Sequence, residues 1–197
     1  MKKYSIIIIF LTIGSVFAQE KNNNFQTKQS INVYVSPFSS VSFMKSGVVC
    51  DCGQDSKEHF VFGGFYKRKF DTHFSYEIGV EYTHHLVEFN WYPDGTTHTA
   101  TDNIDFVSIP AKINYEFSDY FFVQGGLLFD YQTNETEHYR NQSGLGFEFG
   151  LGLQYEFQKF RIFAKPNYKR HALLSAYRTG NDRIVELGVQ FGIGFSL

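Results

Sequence analysis

The sequence predicts an all-β fold, an eight-stranded antiparallel up-and-down β-barrel that spans a membrane. Apolar and polar residues alternate with a period of two in eight separate segments, and no helical pattern of comparable length competes with them. The connections after the second, fourth and sixth segments are short, and those after the first, third, fifth and seventh are long. Such an asymmetry is typical of outer-membrane barrels. The composition, with 19% aromatic residues, 17 glycines and only 4 prolines, suits long strands.

The first residues predict export. Lys2 and Lys3 precede the apolar run 6–11, and small residues around Ala18 form a cleavage site. The apolar run is too short to span a bilayer as a helix, and no cysteine follows the cleavage site to carry a lipid anchor. The predicted organisation is a signal peptide at 1–18, a polar tail at 19–29 and a barrel domain at 30–197.

Three strands are expected before the middle of the chain. The first is interrupted at Pro37, and its apolar face resumes with Val41. The second ends in a tight turn at 71–72, and the phase of the third blurs at 84–85, where we predict a bulge. These strands are expected to begin at Ile31, His59 and His73.

The clearest hairpin lies at 104–133. Alternate residues of 107–117 are apolar, and the intervening ones, such as Lys112, are mostly polar. After a turn at 118–120 the alternation resumes through 121–131. The apolar faces of the two strands agree, which predicts a β-hairpin. Two apolar side chains of its second strand fall on the polar face, Phe122 and Leu128.

Strands six to eight close the chain. The sixth, 145–157, has the most regular alternation, and a two-residue turn at 158–159 leads into the seventh. The eighth runs from Val185 to Leu197. The long loops are expected at 45–58, 90–103, 134–143 and 170–182.

The apolar faces should point outward, into lipid. A soluble lipocalin-like carrier would turn them inward around an apolar ligand, but an eight-stranded barrel has an interior only just wide enough for one layer of side chains. The many Phe and Tyr residues on these faces do not fit there. At the two rims, aromatic girdles are expected. Those assigned to the periplasmic rim are Tyr115, Phe117, Tyr120, Tyr155, Phe157 and Phe160, and those assigned to the outer rim are Trp91, Tyr92 and Tyr131.

The opposite faces predict a polar plug in the lumen. Many of their residues are glycines, which leave room for long charged neighbours. Buried charges need partners. The carboxylates expected to pair are Glu77, Glu81, Glu116, Glu148, Glu156 and Glu186, and their expected partners are Lys112, Arg161, Lys165 and Lys169. Since proline removes a ladder donor, Pro110 and Pro166 are expected at bulges or strand ends.

The central hairpin resembles that of the outer membrane protein β-barrel domain family, the PorT-like proteins. The similarity lies in VSIP at 107–110, NYEF at 114–117 and FFVQGG at 121–126, and extends from about residue 30 to the end of the chain. The resemblance implies a fold and no catalytic or binding residue. One departure is the last position, because such barrels commonly end in an aromatic residue that the assembly machinery reads, and this chain ends in Leu197.

The sequence thus favours an integral outer-membrane protein with both termini in the periplasm, acting as a structural, adhesion or surface-interaction component. It is not expected to be a porin, since conducting porins need about 16 strands. The expected partners are outer-membrane lipid, the barrel assembly machinery and an unidentified protein. A slight excess of acidic residues, 20 against 18 basic, makes nucleic acid an unsuitable partner. No catalytic, cofactor-binding or metal-binding residue is assigned.

A lipid-modifying barrel enzyme is the first alternative. It would need a nucleophile and a base near the lipid boundary. The histidines expected near the loop end are His84, His85, His98, His138 and His171, with Ser175 close to His171.

The first long loop offers a second alternative. Cys50 and Cys52 form a C-x-C pair that can make a strained disulfide, stay reduced or bind metal together with Asp55 and His59. The preferred interpretation is an exposed loop pair without catalytic duty. Asn134 and Asn141 begin Asn-x-Ser/Thr triplets. The triplet is common, and in an envelope protein it is weak evidence for glycosylation.

Overall fold

The chain forms one closed antiparallel barrel of eight strands in sequence order, with β8 pairing with β1. The computed structural model describes residues 28–44, 54–91, 96, 98–134, 141–175 and 183–197. The strands are β1 (Gln29–Met44), β2 (Gln54–Lys69), β3 (Phe74–Trp91), β4 (His98–Glu116), β5 (Phe121–Gln132), β6 (Gly144–Phe157), β7 (Phe160–Ser175) and β8 (Arg183–Ser196). The predicted fold class is confirmed. Within the described ranges, no helix is long and apolar enough to cross a membrane.

Three short connections and the C-terminus lie at the same end of the barrel, here called the short-turn end. The connections are 70–73, 117–120 and 158–159, as the sequence predicts. The backbone N–H of Leu197 donates to the carbonyl of Gln29, and that of Ser196 donates to the carbonyl of Lys159. The predicted signal peptide lies outside the described residues and stays a prediction.

The alternation of faces holds in most of the barrel wall. The lumen-facing positions of β6 from 146 to 154 are buried, and its outward positions become more exposed toward the short-turn end, where Leu151, Leu153 and Tyr155 are each at least half exposed. The same division holds in β4 and β5. The prediction that the apolar face points outward is therefore confirmed, and a carrier with an apolar interior is excluded for this fold. Val185 is an exception, since only 9% of it is exposed.

β1 changes face in its middle. Val35 pairs with Phe191 but Phe38 pairs with Val189, so one extra residue is inserted at the predicted interruption near Pro37. One inserted residue moves every following side chain to the other face. Phe38 is exposed, and Val41 is buried inside the barrel. The prediction that Val41 continues the outward face is wrong for this reason.

Several strands are longer than predicted. β2 begins at Gln54, β4 begins at His98 and β7 extends to Ser175, so that parts of the expected long loops belong to the barrel wall. The bulge predicted at 84–85 is absent from the described register, which runs without a shift through β3 and β4. The shift lies instead in β2, between Ser56 and Glu58.

Pro110 and Pro166 sit within strands, not at bulges or ends, unlike Pro37 at the bulge of β1. Pro110 lies opposite Leu128 of β5. On the other side, β3 and β4 are unpaired at Pro110, and their pairing resumes beyond it in the same register. Pro166 lies opposite Val189 of β8, and the register with β6 has a similar gap. Each proline lacks a backbone N–H and therefore loses one hydrogen bond to one neighbouring strand. The pairing with the other neighbouring strand holds the proline-containing strand in place.

Candidate functional site

The short-turn half of the lumen is filled by an aromatic plug, defined as Tyr34, Val61, Phe65, Phe122 and Phe163. Glycines make room for its rings. A Cβ on Gly152 would lie 2.2 Å from the Phe122 ring, and one on Gly192 would lie 2.3 Å from the Phe163 ring. The predicted role of the glycines is therefore only partly right. Gly126 and Gly150 do face Lys112 and Lys165, but other lumen glycines accommodate aromatic rings.

Buried ion pairs occupy the middle of the lumen. The Glu148 carboxylate accepts hydrogen bonds from Lys165 Nζ at 2.8 Å and Lys112 Nζ at 3.4 Å. Lys169 Nζ donates to Glu81 Oε1 at 2.5 Å and lies 3.4 Å from Glu186 Oε1. All of these side chains are nearly or fully inaccessible to solvent. The predicted pairing of Glu81, Glu148 and Glu186 with these lysines is confirmed.

The short-turn rim departs from the predicted pairing in three ways. Glu156 pairs with Lys28 at 2.8 Å, a lysine that the sequence interpretation did not assign. Glu116 pairs with Lys67 at 2.6 Å and also with Lys69, two lysines that the sequence interpretation did not assign. The Arg161 guanidinium has no hydrogen-bond partner in the described part of the chain. It lies 5.3 Å from the ring centroid of Phe122 and 5.1 Å from that of Phe163. Arg161 thus caps the aromatic plug through cation–π contacts, not a carboxylate.

A histidine cluster lies in the long-loop half of the lumen and is defined as His59, His85, His171, Asp130 and Glu186. The Nδ1 atoms of His59 and His85 are 2.7 Å apart. His59 Nε2 lies 3.5 Å from Glu186 Oε1, and His171 Nε2 lies 3.7 Å from Glu186 Oε2. His171 Nδ1 donates to Asp130 Oδ2 at 2.9 Å. The cluster joins β2, β3, β5, β7 and β8 across the lumen.

An apolar cap covers the long-loop side of this cluster. It consists of Val41, Val87, Ile104, Phe106 and Ile184, all buried. The Phe106 ring stacks on His171 with centroids 5.0 Å apart and meets His85 edge-on at 5.9 Å. The histidine cluster is therefore enclosed between the cap and the buried ion pairs.

Of the candidate catalytic residues, His85 and His171 both lie in the histidine cluster, whereas His84 and His98 lie elsewhere in the described structure. His84 Nδ1 lies 2.6 Å from Asp105 Oδ1, away from the cluster, and His98 Nε2 lies 3.1 Å from the Thr96 hydroxyl. His171 contacts two carboxylates. The Ser108 hydroxyl donates to Asp130 at 2.6 Å, so that serine and histidine meet the same carboxylate and not each other. His138 and the Ser175 side chain lie outside the described residues.

Of the four residues of the alternative metal site in the first loop, the structure describes only the side chain of His59. Cys50, Cys52 and the Asp55 side chain lie outside the described residues. His59 belongs to β2 and points into the lumen, where only 3% of its side chain is accessible. The sequence interpretation missed its neighbours His85 and Glu186 as a group. Alternation placed only Glu186 on the inward face, because the phase of β3 was ambiguous at 84–85, and the mutual distance of the three residues depends on how their strands meet across the barrel.

The barrel wall is open beside His59. The register of β1 with β2 ends at Ser36↔Val61. In the described chain, 37–44 pairs with β8 and 54–60 pairs with β3, and these two segments do not pair with each other. A groove of about 1060 Å³ runs along this part of the wall. Its lining includes Pro37, Phe38, Glu58, His59, Phe60 and Leu187.

A closed antiparallel barrel with an apolar exterior and charged side chains inside defines a transmembrane β-barrel protein, because such an exterior is stable only against lipid. The sequence profile of the family described as outer membrane protein beta-barrel domain matches residues 7–196. The chain belongs to this family and is an outer-membrane β-barrel protein. The narrower PorT-like grouping stays a prediction.

The chain is similar to several solved outer-membrane proteins at low sequence identity, and AlkL shares its fold. The outer membrane protein AlkL, determined by solid-state NMR in DMPC bilayers, is 9% identical with a TM-score of 0.56, over 90% of this chain and 94% of that one. OprG from Pseudomonas aeruginosa is 13% identical with a TM-score of 0.49, over 87% and 94% of the two chains. Ail, the attachment invasion locus protein of Yersinia pestis, is 15% identical with a TM-score of 0.47, over 88% and 100%. No curated protein sequence matches the chain.

Proposed function

We propose that this protein is a non-conducting outer-membrane barrel that acts through its outward and loop surfaces, as a structural, adhesion or surface-interaction component. The observation that carries the proposal is the filled lumen. Three successive layers occupy it, namely the aromatic plug, the buried ion pairs and the histidine cluster under its apolar cap. Eight strands leave an interior that side chains fill, so there is no space for a continuous water column.

The filled lumen also argues against a gated pore of the usual kind. Opening it would separate several buried ion pairs, and leaving one buried charge without its partner costs about 3–5 kcal/mol. Displacing the plug would in addition bring its aromatic side chains into water. We therefore assign the function of the protein to surfaces outside the lumen. The contacts of His171, which are with two carboxylates, do not support an enzymatic role.

Planar-bilayer recording tests the proposal. Purified wild-type protein, refolded into lipid, is expected to give no stable single-channel steps. A variant with Phe122→Ala, Phe163→Ala and Arg161→Ala removes two rings of the aromatic plug and the guanidinium beside them, and it is also expected to stay closed because the buried ion pairs and the histidine cluster remain. Gel mobility of unheated samples from the same vesicles shows that the barrel is inserted and folded. Stable steps from the wild-type barrel, growing linearly with salt concentration, would contradict a closed lumen.

The partners remain part of the proposal. The outward aromatic residues at the short-turn end form stacked pairs, among them Tyr120 with Tyr155 and Phe157 with Phe160, which suits the interfacial zone of outer-membrane lipid. The barrel assembly machinery is the expected insertion partner.

A further inference from the structure

We propose that the histidine cluster is a binding site for one divalent transition-metal ion, held by one ring nitrogen each of His59 and His85 and by the carboxylate of Glu186. Candidate ligand atoms of these three residues all lie within 4.8 Å of one another. Two imidazoles and a carboxylate are a ligand set that Zn²⁺ and its neighbours in the first transition row accept, with a further position left for water.

The distances suit an ion of this size. Metal–ligand bonds of about 2.0–2.1 Å in a tetrahedral site place ligand atoms about 3.3 Å apart. His59 Nε2 and Glu186 Oε1 are 3.5 Å apart, close to that separation. The rings of His59 and His85 face each other with centroids 4.5 Å apart. The direct 2.7 Å contact joins their Nδ1 atoms, which leaves the Nε2 atom of each ring to be offered to the ion.

Unsatisfied polar atoms converge on the site. His59 Nε2, His85 Nε2 and both carboxylate oxygens of Glu186 are buried without a hydrogen-bond partner in the described residues. A buried polar atom left without a partner costs about 1–3 kcal/mol. So many in one place indicate a missing ligand, and a cation is the ligand that both imidazole nitrogen and carboxylate oxygen accept.

The surrounding residues hold the rings in place. Asp130 accepts the Nδ1–H of His171 and the Ser108 hydroxyl, which directs His171 Nε2 toward Glu186 Oε2 at 3.7 Å. A carboxylate behind a histidine is the usual support of a metal-bound imidazole. His171 is thus the adjacent residue able to add a fourth protein ligand, and Phe106 fixes both its ring and that of His85.

One neighbouring cation competes with a metal. Lys169 Nζ lies 3.4 Å from Glu186 Oε1, but it is held at 2.5 Å by Glu81. Because Glu81 also accepts the Tyr34 hydroxyl at 2.5 Å, the lysine stays anchored on that carboxylate when Glu186 turns to the metal. The second oxygen of Glu186, Oε2, faces His171 and not the lysine.

The wall opening supplies a route to the site. The groove beside β1 and β2 includes His59 in its lining. This opening borders the cluster without involving the apolar cap or the aromatic plug. Glu58, exposed in the same groove, adds a negative charge at its mouth.

Metal titration of the folded protein tests the proposal. The full mature chain in detergent, stripped with chelator, is titrated with Zn²⁺ by calorimetry and with Co²⁺ by visible absorption. We expect one ion per chain and a Co²⁺ spectrum with nitrogen and oxygen ligands. Glu186→Gln and His85→Gln should weaken binding by at least about tenfold. His84→Gln is the matched control on the same strand and should bind like the wild type.

Two further measurements separate the histidine cluster from the cysteine pair and from a loss of folding. Cys50→Ser combined with Cys52→Ser should keep the site intact; loss of binding in that variant, with retention in Glu186→Gln, would overturn the assignment. Unheated and boiled samples of every variant are compared on gels, so that loss of binding is scored only in folded protein. If no folded ligand variant is obtained, X-ray absorption of the Zn²⁺-loaded wild type decides, since sulfur ligands or the absence of histidine scattering would refute the proposal.

Discussion

The Phe122 ring lies over Gly152, its register partner across β5 and β6, so closely that a Cβ on the glycine would be 2.2 Å from the ring. The aromatic plug depends on this close approach. Gly152→Val should therefore destabilise the barrel by about 1–3 kcal/mol, as overpacking of a filled core does. Reversible urea unfolding in lipid vesicles measures the effect.

Gly125→Val provides the matched control. A Cβ there meets neighbours only at 3.9 Å, so the substitution should be nearly neutral. Combining Gly152→Val with Phe122→Ala should recover part of the loss relative to the sum of the single changes. Equal destabilisation by Gly125→Val and Gly152→Val would show that Phe122 is not the cause.

The pair of Lys169 and Glu81 should contribute strongly to stability because both side chains are buried. Lys169→Met leaves two carboxylates without their cation and should cost about 3–5 kcal/mol. Lys28→Met removes the exposed partner of Glu156 and should cost no more than about 1 kcal/mol. The comparison uses the same unfolding assay, and similar losses in the two variants would contradict a sealed lumen.

The lipid band predicts a depth-dependent penalty for charge on the outer face. Leu151 lies midway along β6 and is half exposed, so Leu151→Arg should cost about 2–4 kcal/mol, and Phe157→Arg at the strand end should cost about 0–1 kcal/mol. Folding yield and unfolding free energy in vesicles of defined thickness report the difference. A larger cost at Phe157 would place the band elsewhere.

The orientation of the barrel is testable by labelling. With Cys50 and Cys52 replaced by Ser, Thr96→Cys in a long connection should react with a membrane-impermeant maleimide on intact cells. Lys159→Cys at the short-turn end should react only after the outer membrane is permeabilised. The reverse pattern would place the termini outside the cell.

The sequence predicted the faces of the barrel well because the period of two needs no knowledge of neighbours. It located both halves of the central hairpin, the short turns and most buried charges. The face of Val41 could not be predicted from alternation, since the extra residue near Pro37 is visible only in the pairing of β1 with β8. Arg161 was predicted to pair with a carboxylate but contacts the rings of Phe122 and Phe163. This contact depends on how side chains pack across the lumen.

The histidine cluster illustrates the same limit. Alternation identifies the inward position of Glu186 but not that of His85, and the convergence of both with His59 depends on the stagger of the strands and the width of the lumen. Sequence spacing carries neither quantity. One indication of this cluster is visible in the sequence, namely that polar residues lie near the long-loop ends of several strands.

The most direct test of an apolar exterior around a filled polar interior is the behaviour of the protein in membranes and detergent. After cell fractionation and carbonate washing, the mature chain should remain with the outer membranes. On gels without boiling it should migrate faster than after boiling, as intact barrels do. A protein recovered in the soluble periplasmic fraction, with the same mobility before and after heating, would contradict the account.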